Sequence, residues 1–135
     1  MYNIVLLEPE KPTNTGNIGR TCYLTECRLH LIRPFKFKMD DKTLRRTGLD
    51  YWKDVDLVIY DDYEDFLEKN PNINIYYATT KAQRFYTEVE FKVNDFIMFG
   101  KESAGIPESI LNANREKCIK IPMTKKMKRS LNLSN

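Results

Sequence analysis

Three segments of the chain bring together residue types that could do chemistry. The first is Glu8-Pro9-Glu10-Lys11-Pro12-Thr13-Asn14-Thr15-Gly16-Asn17-Ile18-Gly19-Arg20. Its small and turn-forming residues lead into a helix whose unpaired N–H groups favour an anion, with Arg20 expected in the first turns. The spacing is not G-x-G-x-x-G, and Glu8 and Glu10 would repel a pyrophosphate, so a plain strand-to-helix turn with a surface arginine is the competing account. The second segment, Phe99-Gly100-Lys101-Glu102-Ser103-Ala104-Gly105-Ile106-Pro107, holds two glycines five apart. Such a loop lets backbone approach a flat ligand such as an adenine, and it lacks the Gly-Lys-Ser/Thr ending of an ATPase phosphate loop. The third runs from Ile121 to Asn135 and carries Lys125, Lys126, Lys128 and Arg129, a candidate phosphate-binding surface that could equally be a solvated tail.

Other chemistries are disfavoured by composition. The chain has one histidine, His30, in a strand-like setting, which removes multi-histidine metal sites and leaves a serine triad dependent on that residue. Cys22, Cys27 and Cys118 are odd in number and form no C-x-x-C pair, so they read as reduced thiols, mostly in the core, with no zinc site and no disulfide framework. No metal is expected. Apolar runs such as Ile4-Val5-Leu6-Leu7 are far shorter than a membrane span, and Glu8 and Glu10 interrupt any signal-peptide core, so a cytoplasmic protein is expected.

The elements that must position these segments alternate in type. Strands are predicted over 3–7, 28–32, 57–60, 73–78, 95–99 and 117–121, mostly as continuous apolar runs that suit strands covered on both faces. Helices are predicted over 17–26, 41–47, 63–68 and 107–113, with Asp41 and Asp62 as N-caps, Gly48 as a stop and Pro107 in a first turn. Alternation of this kind implies an α/β fold, a mostly parallel sheet flanked by helices. Ligands of such sheets lie beyond the carboxyl ends of the strands, and that rule selects the segments after Leu7, Ala78, Phe99 and Ile121. The 135 residues make one domain, with 41% apolar and 30% charged residues and a net charge of +3 that demands no particular partner.

In their order, the segments Asn14 to Arg20, Leu44-Arg45-Arg46-Thr47-Gly48-Leu49-Asp50-Tyr51, Thr79-Thr80-Lys81, Met98 to Pro107, Ile121-Pro122-Met123 and Arg129-Ser130-Leu131-Asn132-Leu133-Ser134-Asn135 closely resemble those of the trefoil-knotted SPOUT methyltransferases of the SpoU class. The resemblance spans essentially the whole chain. It implies a C-terminal segment threaded through a preceding loop, a homodimer, and S-adenosyl-L-methionine bound by three loops. Ala78, Thr79, Gly100, Glu102, Gly105, Ile121 and Ser130 are the cofactor-binding residues it implies, although Glu102 could instead bond loop amides and fix the turn. Relatives continue past Ser-Asn with an apolar helix, so a chain ending at Asn135 is expected to be C-terminally short.

The activity implied is 2'-O-methylation of a tRNA ribose at anticodon wobble position 34, on cytidine or uridine. Arg20 is the expected cation beside the forming alkoxide, because a guanidinium is poorly suited to act as a base. Asn132 would orient it and Ser130 would meet the target phosphate. Arg45, Arg46, Lys125, Lys126, Lys128 and Arg129 are candidate RNA contacts, and Tyr51 and Trp52 either stack on bases or pack internally. A non-catalytic RNA-binding module and a ribosomal RNA 2'-O-methyltransferase are the alternatives. Cofactor binding separates the first of these, and the length of the chain speaks against the second.

Overall fold

Runs in which every residue is apolar can be strands only where both faces of a sheet are covered. The computed structural model describes residues 1–39, 42–47, 49–123 and 131–135, with side chains described for all of these except residues 45, 47 and 49–51. Its strands are β1 (Asn3–Leu7), β2 (Arg28–Ile32), β3 (Leu57–Tyr60), β4 (Ile75–Ala78), β5 (Arg84–Phe85), β6 (Phe96–Phe99) and β7 (Cys118–Lys120). They form one sheet in the order β3-β2-β1-β6-β4-β7-β5, and every pairing is parallel. Successive side chains of β1 point to opposite layers. Val5 and Leu7 join Tyr60, Phe66, Phe96, Met98 and Leu111 in one core cluster, whereas Leu6 joins Cys22, Leu29, Leu31 and Val55 in another.

Helix α1 (Pro12–Thr25) covers the second cluster, with α2 (Lys42–Thr47) and a 3-10 turn (Leu49–Asp54) packed on it. Helices α3 (Tyr63–Lys69) and α4 (Glu108–Ala113) supply Phe66 and Leu111 to the first. Trp52 lies in the cluster beneath α1, so internal packing is its role here. A Cβ placed on Gly19 would sit 2.3 Å from the Trp52 ring, and only glycine lets the indole lie against the helix backbone.

Several element ends differ from expectation, each for a local reason. Helix α1 begins at Pro12, five residues before the expected Asn17, and has no side-chain cap of its own at Lys11. It ends at Glu26 in the left-handed region, φ 57°, where Cys27 N–H reaches Cys22 O at 2.8 Å. Asp62 caps α3 as expected, accepting from Asp65 N–H at 2.7 Å. Pro107 stands just outside α4 as its N-cap, with extended ψ 142°. The two-residue strand β5 carries no periodic signal and was not expected. Asp41 and Gly48 lie outside the described residues.

His30 shows how the buried polar groups are satisfied. Asn3 donates to Met1 O and Asn94 O at 3.4 and 3.3 Å, leaving its Oδ1 to accept from His30 Nε2–H at 2.9 Å. With Nε2 protonated, His30 Nδ1 accepts from Tyr60 O–H at 2.8 Å, and Tyr60 in turn accepts from Asn70 at 3.1 Å. Every ring nitrogen is used by a neutral imidazole, which makes His30 a core residue. Burial lowers its pKa to about 4, with the Arg28 charge adding to the effect. Burial likewise pushes the Cys22 thiol up to about 12 and raises that of Cys118, as inert core thiols require.

Because the folded pKa lies below the unfolded value of 6.5, His30 contributes stability that is complete above that value and is lost as pH falls toward 4. As the single histidine of the chain it dominates that window. Urea unfolding at pH 7.5 and pH 5.5 is expected to differ by about 1.4 kcal/mol through this group. In His30→Asn that increment should vanish, and an unchanged pH slope would show that His30 is not buried in the neutral form.

Candidate active site

The register of the sheet brings four loops to one edge. Ala78 at the end of β4 is the partner of both Phe99 on β6 and Ile119 on β7, and Phe99 is also the partner of Leu6 on β1. The chain therefore leaves the sheet after Leu7, Ala78, Phe99 and Lys120 at nearly the same level. Strands β1 to β3 run outward on one side of the β1/β6 junction, and the later strands lie on the other. This is a topological switch point, where parallel sheets open a crevice at the carboxyl ends of their strands.

The 100–105 loop closes on itself. Lys101 and Gly105 form an isolated bridge, with Gly105 N–H donating to Lys101 O at 2.8 Å. A Cβ on Gly100 would lie 2.1 Å from the Gly105 carbonyl carbon, and Gly105 has φ +71°. The spacing of these glycines was expected to admit a flat ligand. What it accommodates directly is the loop's own backbone.

Glu102 ties this loop to the start of α1. Its Oε1 accepts from Glu10 N–H at 2.9 Å, and its Oε2 accepts from Lys11 N–H at 2.8 Å and from the Asn14 amide at 3.1 Å. Glu10 answers by accepting from Ser103 N–H at 2.7 Å, a bond that holds the Glu10 carboxyl below its ordinary range. The carboxylate thus sits at the positive end of a 14-residue helix and takes over the missing cap. Asn14, buried at 3% exposure, passes the connection on: its Oδ1 accepts from the Asn132 amide at 2.9 Å, and the same Asn132 nitrogen reaches Ser134 Oγ at 2.7 Å. Thr15 beside it is wholly buried, and its hydroxyl has no hydrogen-bond partner among the described residues.

The neighbouring loops are turned by their own backbones. Thr79 N–H donates to Ile119 O at 2.9 Å, and the Thr79 hydroxyl and carbonyl accept from the N–H groups of Lys81 and Ala82 at 3.2 and 3.3 Å. Beyond β7, Ile121 and Met123 are 44% and 38% exposed, and Leu131 in the C-terminal segment is 49% exposed. Apolar side chains left in water next to polar backbone turns suit a ligand with a flat ring and polar edges.

A model of the SpoU rRNA Methylase family matches residues 1–135. The chain belongs to that family. Among its SpoU relatives, a protein of Listeria innocua is 51% identical over 98% of this chain and 80% of its own length. The tRNA (cytidine(34)-2'-O)-methyltransferase of Escherichia coli (strain K12) is 47% identical over 100% of this chain and 86% of its own. A structure solved in work on the 2-OH methylation of C/U34 on tRNA superposes with a TM-score of 0.93 at 40% identity, over 99% of this chain and 87% of that one.

Within this SpoU domain the expected site residues are distributed unevenly. Ala78, Thr79, Gly100, Glu102, Gly105 and Ile121 come together at the strand ends, with Asn132 joined to them through Asn14. Arg20 is exposed on α1, and because the helix begins early it stands in the third turn, not the first. Asn132 bonds Asn14 and Ser134. Arg46 is exposed on α2. The side chains of Arg45 and Tyr51, and Lys125, Lys126, Lys128, Arg129 and Ser130 altogether, lie outside the described residues. Two participants carried no role in the sequence reading. Asn14 is the hub of the network, and Glu10, read as an obstacle to anions, latches Ser103; no local pattern points to partners about ninety residues away.

Replacing Glu102 leaves the Glu10 and Lys11 amides without their partner. Glu102→Ala is expected to cost about 2 kcal/mol in urea unfolding and Glu102→Gln about half of that, since a carboxamide oxygen accepts without charge. Equal stability of all three proteins would show that the carboxylate does not cap α1.

Proposed function

We propose that this protein is an S-adenosyl-L-methionine-dependent RNA methyltransferase acting on the ribose 2'-oxygen of tRNA wobble position 34, cytidine or uridine. The observation that carries the reading is the convergence of the Ala78, Gly100 and Ile121 loops at one level of the sheet, in a chain 47% identical to a relative named for that reaction. The cofactor, when bound, supplies a methyl group made electrophilic by its sulfonium.

Backbone groups of Ala78, Thr79, Gly100, Gly105 and Ile121 would hold the ring and ribose of that cofactor, and the exposed Ile121 and Met123 would cover its flat face. Glu102 serves the same site indirectly: both of its oxygens are engaged by α1 and the loop before it, so it shapes the pocket and is a positioning residue. Asn132 acts likewise through Asn14. Arg20 stabilises negative charge developing on the attacking ribose oxygen, which at neutral pH ionises too little to react unaided. Ser130 meets the target phosphate, and Arg45, Arg46, Lys125, Lys126, Lys128 and Arg129 bind the RNA backbone.

The reading extends to a homodimer, a knotted C-terminal segment and a cytoplasmic location. Among the described residues no helix is long and apolar enough to cross a membrane.

Arg20→Ala is expected to lower single-turnover methylation of tRNA on the order of 100- to 1,000-fold while leaving cofactor affinity nearly unchanged, with partial recovery in Arg20→Lys. Normal turnover by Arg20→Ala would return the residue to an ordinary surface arginine. In the same assay series, the triple change Lys125→Ala, Lys126→Ala, Lys128→Ala should flatten the salt dependence of tRNA affinity, and an unchanged slope would remove these lysines from the interface. Calorimetry showing no binding of S-adenosylmethionine or S-adenosylhomocysteine would overturn the enzymatic reading itself.

A further inference from the structure

Among the described residues, the β5 edge of the sheet carries a surface that the reading above leaves unused. β5 ends the strand order, and both of its residues, Arg84 and Phe85, are exposed. Tyr86 follows at 44% exposure, beside Phe85 at 37%. Phe85 is the register partner of Lys120, whose ammonium lies 4.9 Å from the ring centroid. Next to this pair Lys81, Arg84 and Arg115 line an open cleft of about 390 Å³, with Ala82, Leu111 and Cys118 as its apolar lining.

The charges of this surface are unevenly spent. Glu108 is paired with Lys81, and Glu88 accepts from Phe85 N–H at 2.6 Å. Arg84 donates to the carbonyl of Glu116 and Arg115 to the side-chain oxygen of Asn112, each at 2.5 Å. Neutral acceptors hold these guanidinium groups in place, and the lining of the cleft sets the three cations Lys81, Arg84 and Arg115 against the two carboxylates of Glu108, which also feels the Arg115 charge, and Glu116. Exposed rings interleaved with positioned cations are what an unpaired nucleic-acid strand requires: bases stack on the rings and phosphates meet the charges. An added protein strand is less well served, because the edge offers a ladder only two residues long. Lys120 directly precedes Ile121, so the surface borders the crevice at the strand ends.

We propose that the β5 edge is an RNA-binding surface, on which Phe85 and Tyr86 stack bases of the single-stranded loop carrying the target ribose while Arg84, Arg115 and Lys120 hold its phosphates. This rests on the reading of the protein as a tRNA ribose methyltransferase.

The test is fluorescence anisotropy with a labelled anticodon stem-loop, run beside calorimetry with S-adenosylhomocysteine and a methylation assay on tRNA. Phe85→Ala combined with Tyr86→Ala is expected to weaken stem-loop binding about 10- to 100-fold with cofactor affinity unchanged. Tyr86→Phe should retain affinity, Phe85→Leu should lose it despite keeping apolar volume, and Lys120→Ala should reduce the salt slope by about one. Should the double variant fail to bind cofactor, Phe85→Leu alone decides. Unchanged RNA affinity and KM for tRNA in a variant that binds cofactor overturns the proposal while leaving the methyltransferase reading intact. A change in sedimentation without a change in RNA affinity overturns it in favour of a contact between copies of the chain. A parent protein that binds cofactor but neither binds nor methylates the RNA overturns both.

Discussion

One carboxylate holds the active end of this molecule in register. Glu102 lies on the loop after β6, yet its oxygens are occupied by the amides of Glu10, Lys11 and Asn14 at the start of α1. A 14-residue helix without a local cap presents unpaired N–H groups and a partial positive charge, and a carboxylate is the group that answers both at once. The sheet makes the connection short, because β1 and β6 are neighbours and Leu6 and Phe99 share a level. The return bond from Ser103 to Glu10 makes the link reciprocal, so neither loop can move without breaking charged hydrogen bonds on the other.

Asn14 extends this unit to the end of the chain, and its chemistry suits the task. It donates to a carboxylate through its nitrogen and accepts from an amide through its oxygen, two duties that a carboxamide performs with separate atoms. Three segments far apart in sequence are thereby tied to one another. In methyl transfer, where much of the rate comes from alignment of attacking oxygen and methyl group, such linked loops lower the ordering required at the moment of reaction.

The legibility of the fold followed the range of the interactions. Strands 3–7, 28–32 and 57–60 were readable to the residue, because Ile4 to Leu7 and Leu57 to Tyr60 are uninterrupted apolar runs and Leu29, Leu31 and Ile32 surround a single histidine. The α3 cap at Asp62 was readable because donor and acceptor are three residues apart. The start of α1 was misplaced because its cap arrives from residue 102, and β5 was invisible because two exposed residues show no periodicity. At the site, the rule that ligands lie beyond the carboxyl ends of parallel strands picked out the converging loops, whereas the bonds of Glu102 run to Glu10, Lys11 and Asn14 on a different segment from its own loop. The hub role of Asn14 had no signal, since nothing near it in sequence identifies its partners.

The contact between Gly19 and Trp52 reaches further than packing. The indole lies where a Cβ would be, so it works as a key set in a slot on the flank of α1. A helix keyed in this way cannot roll about its own axis. The residue after the slot is Arg20, so the 3-10 turn at Leu49–Asp54, through Trp52, bears on the rotation of the helix that carries that side chain. The setting of α1 against the sheet is thus shared with a turn some thirty residues further along the chain.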